Sequence, residues 1–306
     1  MIQSFYRSLS RPLAAAAAFA MTALIPLAGW AQDLANEESA LGMTPAEGAG
    51  GSLPWFFADD WQIGFQPAGS PIMETIHGFH NYIFVIITII TIFVLALLVW
   101  CILRFNSKAN PVPSRTSHNT VIEVIWTVVP VLILLIIAIP SFRLLYDKET
   151  TPSDADITVK AVGYQWYWGY EYPDNGDFAF NSIMLQEDEL QEGQPRLLAV
   201  DREMVVPAGQ TIRLIVTAAD VIHSFAMPTF GLKVDAIPGR LNEAWFRADQ
   251  PGVYYGQCSE ICGRDHAFMP IAIRVLPQAD YDAWLAERYA EFGVDPAALA
   301  EEAPAA

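Results

Sequence analysis

Residues 75–103 read TIHGFHNYIFVIITIITIFVLALLVWCIL and contain no Asp, Glu, Lys or Arg over 29 residues. An apolar helix of about 20 residues is long enough to cross the hydrocarbon core of a bilayer. A second uncharged run occupies residues 124–142, and its Pro130 is compatible with a helix if a neighbouring helix satisfies the freed backbone group. The sequence therefore predicts a two-helix transmembrane hairpin over residues 75–146, with spans at about 80–103 and 123–145.

The loop between the two spans predicts the orientation of the hairpin. It carries Arg104, Lys108, Arg115 and His118, with no acidic residue before Glu123. Basic loops stay on the cytoplasmic side of a membrane, so both outer ends of the hairpin are expected outside. The chain is thus expected to be a multi-pass protein of a bacterial inner membrane, with its C-terminal domain in the periplasm.

The N-terminal residues have the pattern of a secretory signal peptide. Arg7 and Arg11 precede an apolar stretch at residues 13–28, and small residues follow up to Ala31. This pattern predicts a signal peptide over residues 1–31, cleaved after Ala31. The alternative is an uncleaved third span, which the shortness of the stretch and Pro26 disfavour.

Residues 32–74 are rich in Ala, Gly, Pro and acidic side chains, with aromatic residues at positions 55–57 and at Trp61. This composition predicts a loose external N-terminal segment that rests on a partner.

The chain changes to a two-residue period after the second span. Residues 157–161, 212–216 and 271–275 alternate apolar and polar side chains, and Pro and Gly corners recur between such runs. Short alternating strands with these corners predict an all-β sandwich over residues 150–277. A C-terminal helix is expected from residue 278, followed by a disordered tail to residue 306, because Ala, Glu and Pro dominate there.

Charge limits the class of partner. The net charge is −17, and residues 151–306 alone contain 24 acidic against 10 basic side chains. Such a domain repels nucleic acid and attracts a basic protein. The alternative is a solvated acidic surface with no partner.

Metal-binding residue types cluster in YYGQCSEICGRDHAFMPI, residues 254–271, where Cys258 and Cys262 precede His266 and Met269. A further histidine, His223, stands in DVIHSF. Sulfur and imidazole ligands favour copper, and a second cysteine exceeds what a mononuclear blue-copper site uses. Two coppers sharing both thiolates are therefore predicted, with Met269 and a nearby backbone carbonyl as weak ligands. A Cys2His2 zinc site and a disulfide are the alternatives.

Three long motifs resemble the subunit II family of cytochrome c oxidases. They are GYQWYWGYEYP at residues 163–173, DVIHSFAMPTFGLKVDAIPGRLNE at residues 220–243, and the metal segment. The resemblance implies a cupredoxin-like Greek-key sandwich. It also implies that the binuclear copper ligands are His223, Cys258, Cys262, His266, Met269 and the carbonyl of Glu260. In that family the side chain of Glu260 also helps to bind magnesium at the border with subunit I.

The same resemblance implies roles for residues outside the metal segment. Trp166 matches the exposed tryptophan that accepts electrons, and Glu123 matches the mouth of a proton pathway into subunit I. A helix-capping role is the alternative for Glu123. The acids expected to surround Trp166 and dock the partner are Glu171, Asp174, Asp177 and Asp220. Tyr167 is expected in the core. Tyr164 replaces the histidine usual in the family, and no function is assigned to it.

The function implied is that of subunit II of a bacterial cytochrome c oxidase, which accepts electrons from cytochrome c. It passes them to the haem–copper subunit I, where oxygen is reduced to water with proton pumping. The partners would be subunit I, further oxidase subunits, cytochrome c and membrane lipid. Alternatives are a quinol-oxidase second subunit, a nitrous oxide reductase copper domain and a periplasmic copper-delivery protein. Residues 181–203, rich in Glu and Gln, form an insertion-like loop of unassigned role.

Overall fold

The computed structural model describes residues 53–58 and 61–302. Two units are distinguished: a hairpin unit built from residues 77–143, and a globular unit that contains the described residues of 53–76 together with 144–302. The predicted signal peptide of residues 1–31 lies outside the described residues.

Both predicted membrane helices are present. Helix α1 spans Pro71–Arg104 and helix α2 spans Thr120–Glu149, and each is long and apolar enough to cross a membrane. Large apolar side chains point outward along both, including Leu98, Leu134 and Ile139, which are 56%, 65% and 77% exposed. Such exposure suits helices whose surroundings are lipid rather than water.

Helix α1 begins earlier than the hydrophobic run suggested because Ser70 caps it. The Ser70 hydroxyl accepts a hydrogen bond of 3.1 Å from the backbone N–H of Met73, and it donates one of 2.9 Å to the carbonyl of Phe230. Pro71 follows at the first helical position, where its missing N–H costs nothing. The first turn of α1 is therefore set by a polar cap rather than by hydrophobicity.

The globular unit is a two-sheet sandwich followed by two helices. Its strands are β1 (Trp55–Phe56), β2 (Ile157–Tyr164), β3 (Tyr167–Tyr172), β4 (Phe178–Ser182), β5 (Met204–Pro207), β6 (Thr211–Ala218), β7 (His223–Met227), β8 (Leu232–Ala236), β9 (Asn242–Arg247), β10 (Gly252–Cys258) and β11 (Pro270–Leu276). Its helices are α3 (Gln278–Phe292) and α4 (Pro296–Glu302). The predicted sandwich and the predicted C-terminal helix are both present.

One sheet has the order β5–β11–β10–β7–β8, with β1 also paired to β10, and the other has the order β4–β3–β2–β6–β9. Pairs of consecutive strands such as β10–β11 alternate with pairs from distant parts of the chain such as β5–β11 and β2–β6, as in Greek-key sandwiches. Alternate residues of the strands face inward, so that Phe178 and Phe180 of β4 are buried between exposed neighbours. This is the cupredoxin-like architecture that the motifs implied.

Aromatic side chains fill the space between the sheets. Trp168, Tyr172, Phe225 and Phe246 are completely buried, and each contributes about 1.5–3 kcal/mol or more through removal of apolar surface from water. The Tyr172 hydroxyl accepts a hydrogen bond of 2.8 Å from the N–H of Val205 and donates one of 2.9 Å to its carbonyl. It thereby joins β3 of one sheet to β5 of the other.

Two terminal segments differ from expectation. Trp55 and Phe56 form β1 against β10, and the Phe56 ring stacks on Tyr254 at 4.5 Å, so this part of the N-terminal segment rests on the chain's own sandwich. After α3, residues 296–302 form helix α4 instead of a disordered tail, with an Asp295 side chain accepting from the N–H of Ala297. The sequence of a short segment does not show the surface of the same chain against which that segment folds.

Candidate metal centre

One end of the sandwich gathers the metal-binding residue types. His223 is the first residue of β7 and Cys258 is the last residue of β10, and the two antiparallel strands pair Cys258 with Phe225. The connection from β10 to β11 carries Cys262, His266 and Met269. Because β10 and β11 are themselves paired, with Gln257 opposite Pro270, this connection must turn back over the end of β7. The fold thus brings His223, which is distant in sequence, next to the segment that contains both cysteines.

The two thiols face each other at the centre of this end. The Sγ atoms of Cys258 and Cys262 are 3.9 Å apart, and both cysteines are free. A disulfide requires an S–S distance of about 2.05 Å. The disulfide alternative is therefore not the arrangement found in this structure.

Four further donor atoms surround the thiols. Nδ1 of His223 lies 4.0 Å and the carbonyl oxygen of Glu260 3.4 Å from Sγ of Cys258. Nδ1 of His266 and Sδ of Met269 each lie 3.6 Å from Sγ of Cys262. The structure brings all six predicted ligands together.

The ligating atoms of His223, Cys258 and Cys262 lie within 4.8 Å of one another. Except for the half-buried His266, the side chains that supply ligand atoms are buried. A metal ion held there would be shielded from water, and its ligands could not rotate freely.

Asp220 orients the first of these ligands. Nε2 of His223 is 2.9 Å from Oδ1 of Asp220, so the other ring nitrogen, Nδ1, is turned toward the thiols. The Asp220 carboxylate also accepts backbone hydrogen bonds from Gln165 and Val221. Partial burial opposes ionisation of Asp220, but these hydrogen bonds outweigh it and hold the pKa of the carboxyl below its usual range.

The two thiols have different acidities. Burial opposes ionisation of Cys258, yet its hydrogen bonds with His223, His266 and the backbone of Ser224 and Glu260 together outweigh burial and lower the pKa of that thiol. Burial raises the pKa of the Cys262 thiol, and the negative charge of neighbouring Cys258 raises it further. The pair therefore gives up its first proton easily and its second with difficulty, unless a cation replaces it.

The donor set suits a soft metal ion. Two thiolates and two imidazoles alone would satisfy zinc, but Met269 and the Glu260 carbonyl then serve no purpose at the site. The side chain of Met269 is 1% exposed and directs its sulfur to Cys262. Thiolate, thioether and imidazole together are the ligands that copper prefers.

Trp166 lies directly beside the metal segment. Its indole N–H donates a hydrogen bond of 3.3 Å to the carbonyl of Cys262, and the Gln165 side chain donates one of 2.7 Å to the same oxygen. The Arg264 guanidinium lies 5.6 Å from the centre of the indole ring. Trp166 is half-buried, whereas the resemblance implied an exposed tryptophan, and its hydrogen bond to Cys262 holds the ring against the metal segment.

The neighbouring aromatics of the β2–β3 hairpin separate into outer and inner residues. Tyr167 stacks on Tyr164 at 4.8 Å on the outer face and is half-buried, so the prediction that it belongs to the core is wrong. Trp168 is the inner residue. Its indole N–H donates to the carbonyl of Met269 at 3.3 Å, and its ring meets that of His223 edge to face at 6.1 Å. The motif alone gave no sign of this support for two ligands.

Three of the four acids predicted around Trp166 lie elsewhere, whereas Asp220 accepts a hydrogen bond from the N–H of the adjacent Gln165. Glu171 forms an ion pair of 2.7 Å with Lys160 on β2, while Asp174 accepts a hydrogen bond from Thr158 beyond the far end of β3. Asp177 lies in the turn after that end. Because a strand advances about 3.3 Å per residue, β3 carries these acids progressively away from the hairpin tip.

Other acids do lie near Trp166. Asp265, Glu187 and Asp188 line a groove with it. Asp265 stands within the metal segment and could have been suspected from the sequence. Glu187 and Asp188 come from the Glu-rich loop, whose position next to Trp166 only the fold reveals.

Glu123 lies in the first turn of helix α2 and takes part in its N-terminal cap. Its carboxylate accepts a hydrogen bond of 3.1 Å from the N–H of Asn119, while the Asn119 side chain accepts from Val121 and Ile122. The capping role, one of the two considered for Glu123, is therefore present in the structure.

Comparison with known proteins identifies the family. Residues 157–276 match the family model of the cytochrome c oxidase subunit II periplasmic domain, and residues 58–144 match that of its transmembrane domain. A probable cytochrome c oxidase subunit 2 of Rickettsia bellii is 54% identical over 228 residues, which cover 74% of this chain and 84% of that protein. The chain belongs to the cytochrome c oxidase subunit II family.

Subunit II relatives extend beyond bacteria. Cytochrome c oxidase subunit 2 of Zea mays is 50% identical over 236 residues, covering 76% of this chain and 91% of that protein. A crystal structure is known for the periplasmic domain of cytochrome oxidase subunit II of Bradyrhizobium japonicum. Its sequence is 58% identical to this chain, and the match covers 47% of this chain and 99% of the Bradyrhizobium chain, with a TM-score of 0.44.

Family membership makes the chain a component of a haem–copper oxidase, an oxidoreductase complex. With two membrane-span-like helices before the sandwich, it fits a membrane protein whose C-terminal domain is periplasmic.

Proposed function

We propose that this chain accepts electrons from cytochrome c at a binuclear copper centre. It would pass them to the haem–copper subunit I, which reduces oxygen to water with proton pumping. The observation that carries the proposal is the convergence of six donor atoms around a pair of unjoined thiols. A quinol-oxidase subunit, which docks without this copper site, has no need of that convergence.

The residues fit two copper ions that share both thiolates. Each ion would take one imidazole, from His223 or His266, and one weak ligand, from Met269 or the Glu260 carbonyl. When bound, such a pair accepts and donates one electron with little change in its bond lengths.

The chain's own contribution is to keep these ligands still. Asp220 holds the His223 ring through Nε2, and Trp168 packs against that ring while binding the backbone of Met269. Gly163 leaves space for the His223 ring, since a Cβ atom at that position would lie 2.8 Å from Cδ2. Buried ligands held by second contacts resist rearrangement, which favours fast electron transfer.

Trp166 is the residue proposed to receive electrons. Its indole N–H contacts the carbonyl of Cys262, and Cys262 itself supplies a thiolate, so a hydrogen bond and a few covalent bonds join the indole to the site. The ring is half-buried, which leaves part of it available to a redox partner. This connection supports the proposal that electrons arrive at the β2–β3 hairpin.

Two further roles belong to the same proposal. The Glu260 side chain is exposed while its carbonyl faces Cys258, so the carboxylate is free to hold magnesium at the subunit I border. Glu123, at the start of α2, would form the mouth of a proton pathway on the cytoplasmic side. The basic α1–α2 loop supports that orientation in a bacterial inner membrane.

The test is to load the full chain with copper, count the metal and record its low-temperature electron paramagnetic resonance spectrum. We expect two copper ions per chain and a seven-line pattern from one electron shared between two copper nuclei. Cys262→Ser removes one bridging thiolate and should reduce the count to one. Cys101→Ser is the matched control, because Cys101 lies exposed on α1 outside the site, and it should retain both ions.

One copper or one zinc in the unsubstituted chain would contradict the binuclear centre and favour a metal-delivery protein instead. Two coppers that reduced cytochrome c fails to reduce would retain the centre and remove the proposed donor.

A further inference from the structure

A cleft lined by arginines lies where helix α3 packs on the sandwich. It has a volume of about 180 Å³, and Arg202, Arg274 and Arg288 form its basic wall. Phe180 and Trp284 form its apolar side. Its lining residues differ from all six proposed copper ligands, so this arginine cleft is a separate candidate site.

The concentration of arginine here is high for so acidic a domain. Residues 151–306 contain 10 basic side chains against 24 acidic ones, and three of the ten line this one cleft. They come from separate elements, since Arg202 precedes β5, Arg274 lies on β11 and Arg288 lies on α3. Like charges repel, so three guanidinium groups that converge need negative charge between them.

The chain itself supplies part of that negative charge. Glu203 accepts two hydrogen bonds from Arg274, at 2.6 and 3.2 Å. Glu291 is shared, because its carboxylate lies 3.2 Å from Arg202 and 2.6 Å from Arg288. Two carboxylates thus serve three guanidinium groups.

Two other acids lie at the arginine cleft. Glu287 is 3.6 Å from Arg288, but its side chain is 72% exposed, so water weakens that ion pair. Asp201 lines the cleft, yet its Oδ1 atom accepts hydrogen bonds from the backbone N–H groups of Ile183 and Arg202. Neither acid therefore provides the arginines with another buried partner.

Two of the three arginines keep unused donors. A guanidinium group carries five N–H donors. In the described part of the chain, the Arg202 guanidinium pairs with Glu291 alone, and the buried Nε of Arg288 has no hydrogen-bond partner. The Arg288 guanidinium lies 5.9 Å from the centre of the Trp284 ring, which holds it against the apolar side of the cleft. A buried donor without an acceptor is costly, so an acceptor that entered the cleft would be bound favourably.

A phosphate group has the chemistry that this cleft lacks. Guanidinium groups bind phosphate through short, paired N–H···O hydrogen bonds, and the several oxygens of one phosphate can reach more than one arginine. The volume of about 180 Å³ leaves room for a small organic substituent against Phe180 and Trp284.

We propose that the arginine cleft binds a phosphate group, free or as the ester of a small molecule, through Arg202, Arg274 and Arg288. The bound anion would link the segment before β5 to β11 and to α3, and would stabilise the attachment of α3 to the sandwich. This inference goes beyond the proposed function and is independent of it, because it uses none of the proposed copper ligands.

The experiment titrates inorganic phosphate into the full chain in detergent, by isothermal titration calorimetry at physiological ionic strength with chloride as the competing anion. Arg202→Gln removes one guanidinium, and Arg202→Lys keeps its charge but not its planar donors. Arg247→Gln is the matched control, since Arg247 is 44% exposed against 46% for Arg202 and also pairs with a surface acid, Asp249.

We expect one phosphate per chain, bound roughly tenfold more weakly by Arg202→Gln and with intermediate affinity by Arg202→Lys. Arg247→Gln should bind phosphate normally. Phosphate should also slow backbone hydrogen exchange in α3 of the unsubstituted chain. Phenyl phosphate distinguishes the two sources of the ligand: tighter binding than inorganic phosphate indicates an ester, and equal or weaker binding indicates the free ion.

The absence of saturable phosphate binding would overturn the inference, and so would equal affinity in Arg202→Gln and the unsubstituted chain. If Arg202→Gln does not fold, Arg202→Lys decides, and an unchanged affinity in that variant overturns the inference. A chain that binds phosphate but not two copper ions would remove the proposed function and retain the phosphate site.

Discussion

The carboxylate of Asp220 lies 2.9 Å from Nε2 of His223. An ionised carboxylate only accepts hydrogen bonds, so Nε2 must carry a proton, and Nδ1, which faces Cys258, is the ring nitrogen left to bind a metal ion in place of a proton. Asp220 was predicted to dock a partner, yet it also accepts from two backbone N–H groups and is largely committed to the site. We propose that it would act on a bound metal ion through the histidine.

Asp220→Asn should weaken copper binding by about tenfold to a hundredfold, because the neutral amide no longer fixes the imidazole with a negative charge. Competition with a chelator of known copper affinity measures the change. Asp249→Asn is the control, since it removes the same charge from an ion pair with Arg247 at the surface. Equal affinities in the two variants would contradict the orienting role.

Trp166→Phe should leave the copper content unchanged and slow reduction by cytochrome c by about tenfold, or ~1.4 kcal/mol in activation free energy, because the hydrogen-bonded link from the indole to Cys262 is lost. Phenylalanine keeps an aromatic ring but cannot donate to the Cys262 carbonyl. Trp245→Phe is matched, because it removes an indole N–H that donates to Asp147 away from the metal. If the rate is unchanged in Trp166→Phe, electrons arrive by another route.

Gly163→Ala should reduce copper affinity although residue 163 is not a ligand. The added methyl group would lie 2.8 Å from Cδ2 and 3.0 Å from Cγ of His223. The buried ring could relieve this clash only by moving away from the position in which Nδ1 faces Cys258. Overpacking of this kind costs about 1–3 kcal/mol. Gly169→Ala, whose methyl meets the edge of the half-buried Tyr164 ring at 3.1 Å, should bind copper normally. Thermal unfolding and copper titration separate the two effects.

Glu123→Gln separates the two roles considered for Glu123. The glutamine oxygen can still accept from the N–H of Asn119, so thermal stability should hold, whereas Asn119→Ala removes the cap and should cost about 1 kcal/mol. Oxygen consumption by the complex should fall roughly tenfold or more in Glu123→Gln if the carboxyl transfers protons. Full turnover in that variant would leave Glu123 with its capping role alone.

The proposed metal ligands could be named from the sequence because most of them lie close together along the chain. Cys258 ends β10, Cys262, His266 and Met269 lie in the connection that follows it, and their residue types already restrict the metal. Both spans and the sandwich followed from period and hydrophobicity. Helix α1 still began earlier than predicted, because its start depends on Ser70 and not on the apolar run.

Relationships across the fold were not predictable in the same way. Glu171 and Asp174 are near Trp166 in sequence but follow an extended strand away from it, whereas Glu187 and Asp188 are farther along the chain and return to it. Trp55 and Phe56 become a strand only because β10 offers an unpaired stretch beyond the end of β7. Sequence spacing alone specifies neither outcome.

The β10–β11 connection has a consequence for protein engineering. Residues 258–269 contain five of the six proposed donor residues. This segment connects β10 to β11, and the two strands pair with each other immediately before and after it, where Gln257 lies opposite Pro270. The sixth donor is the first residue of the adjoining strand β7. Grafting this segment onto another antiparallel strand pair would therefore require one matching histidine on the neighbouring strand. We therefore expect that most of the proposed metal-binding residues can be transferred together as one hairpin loop.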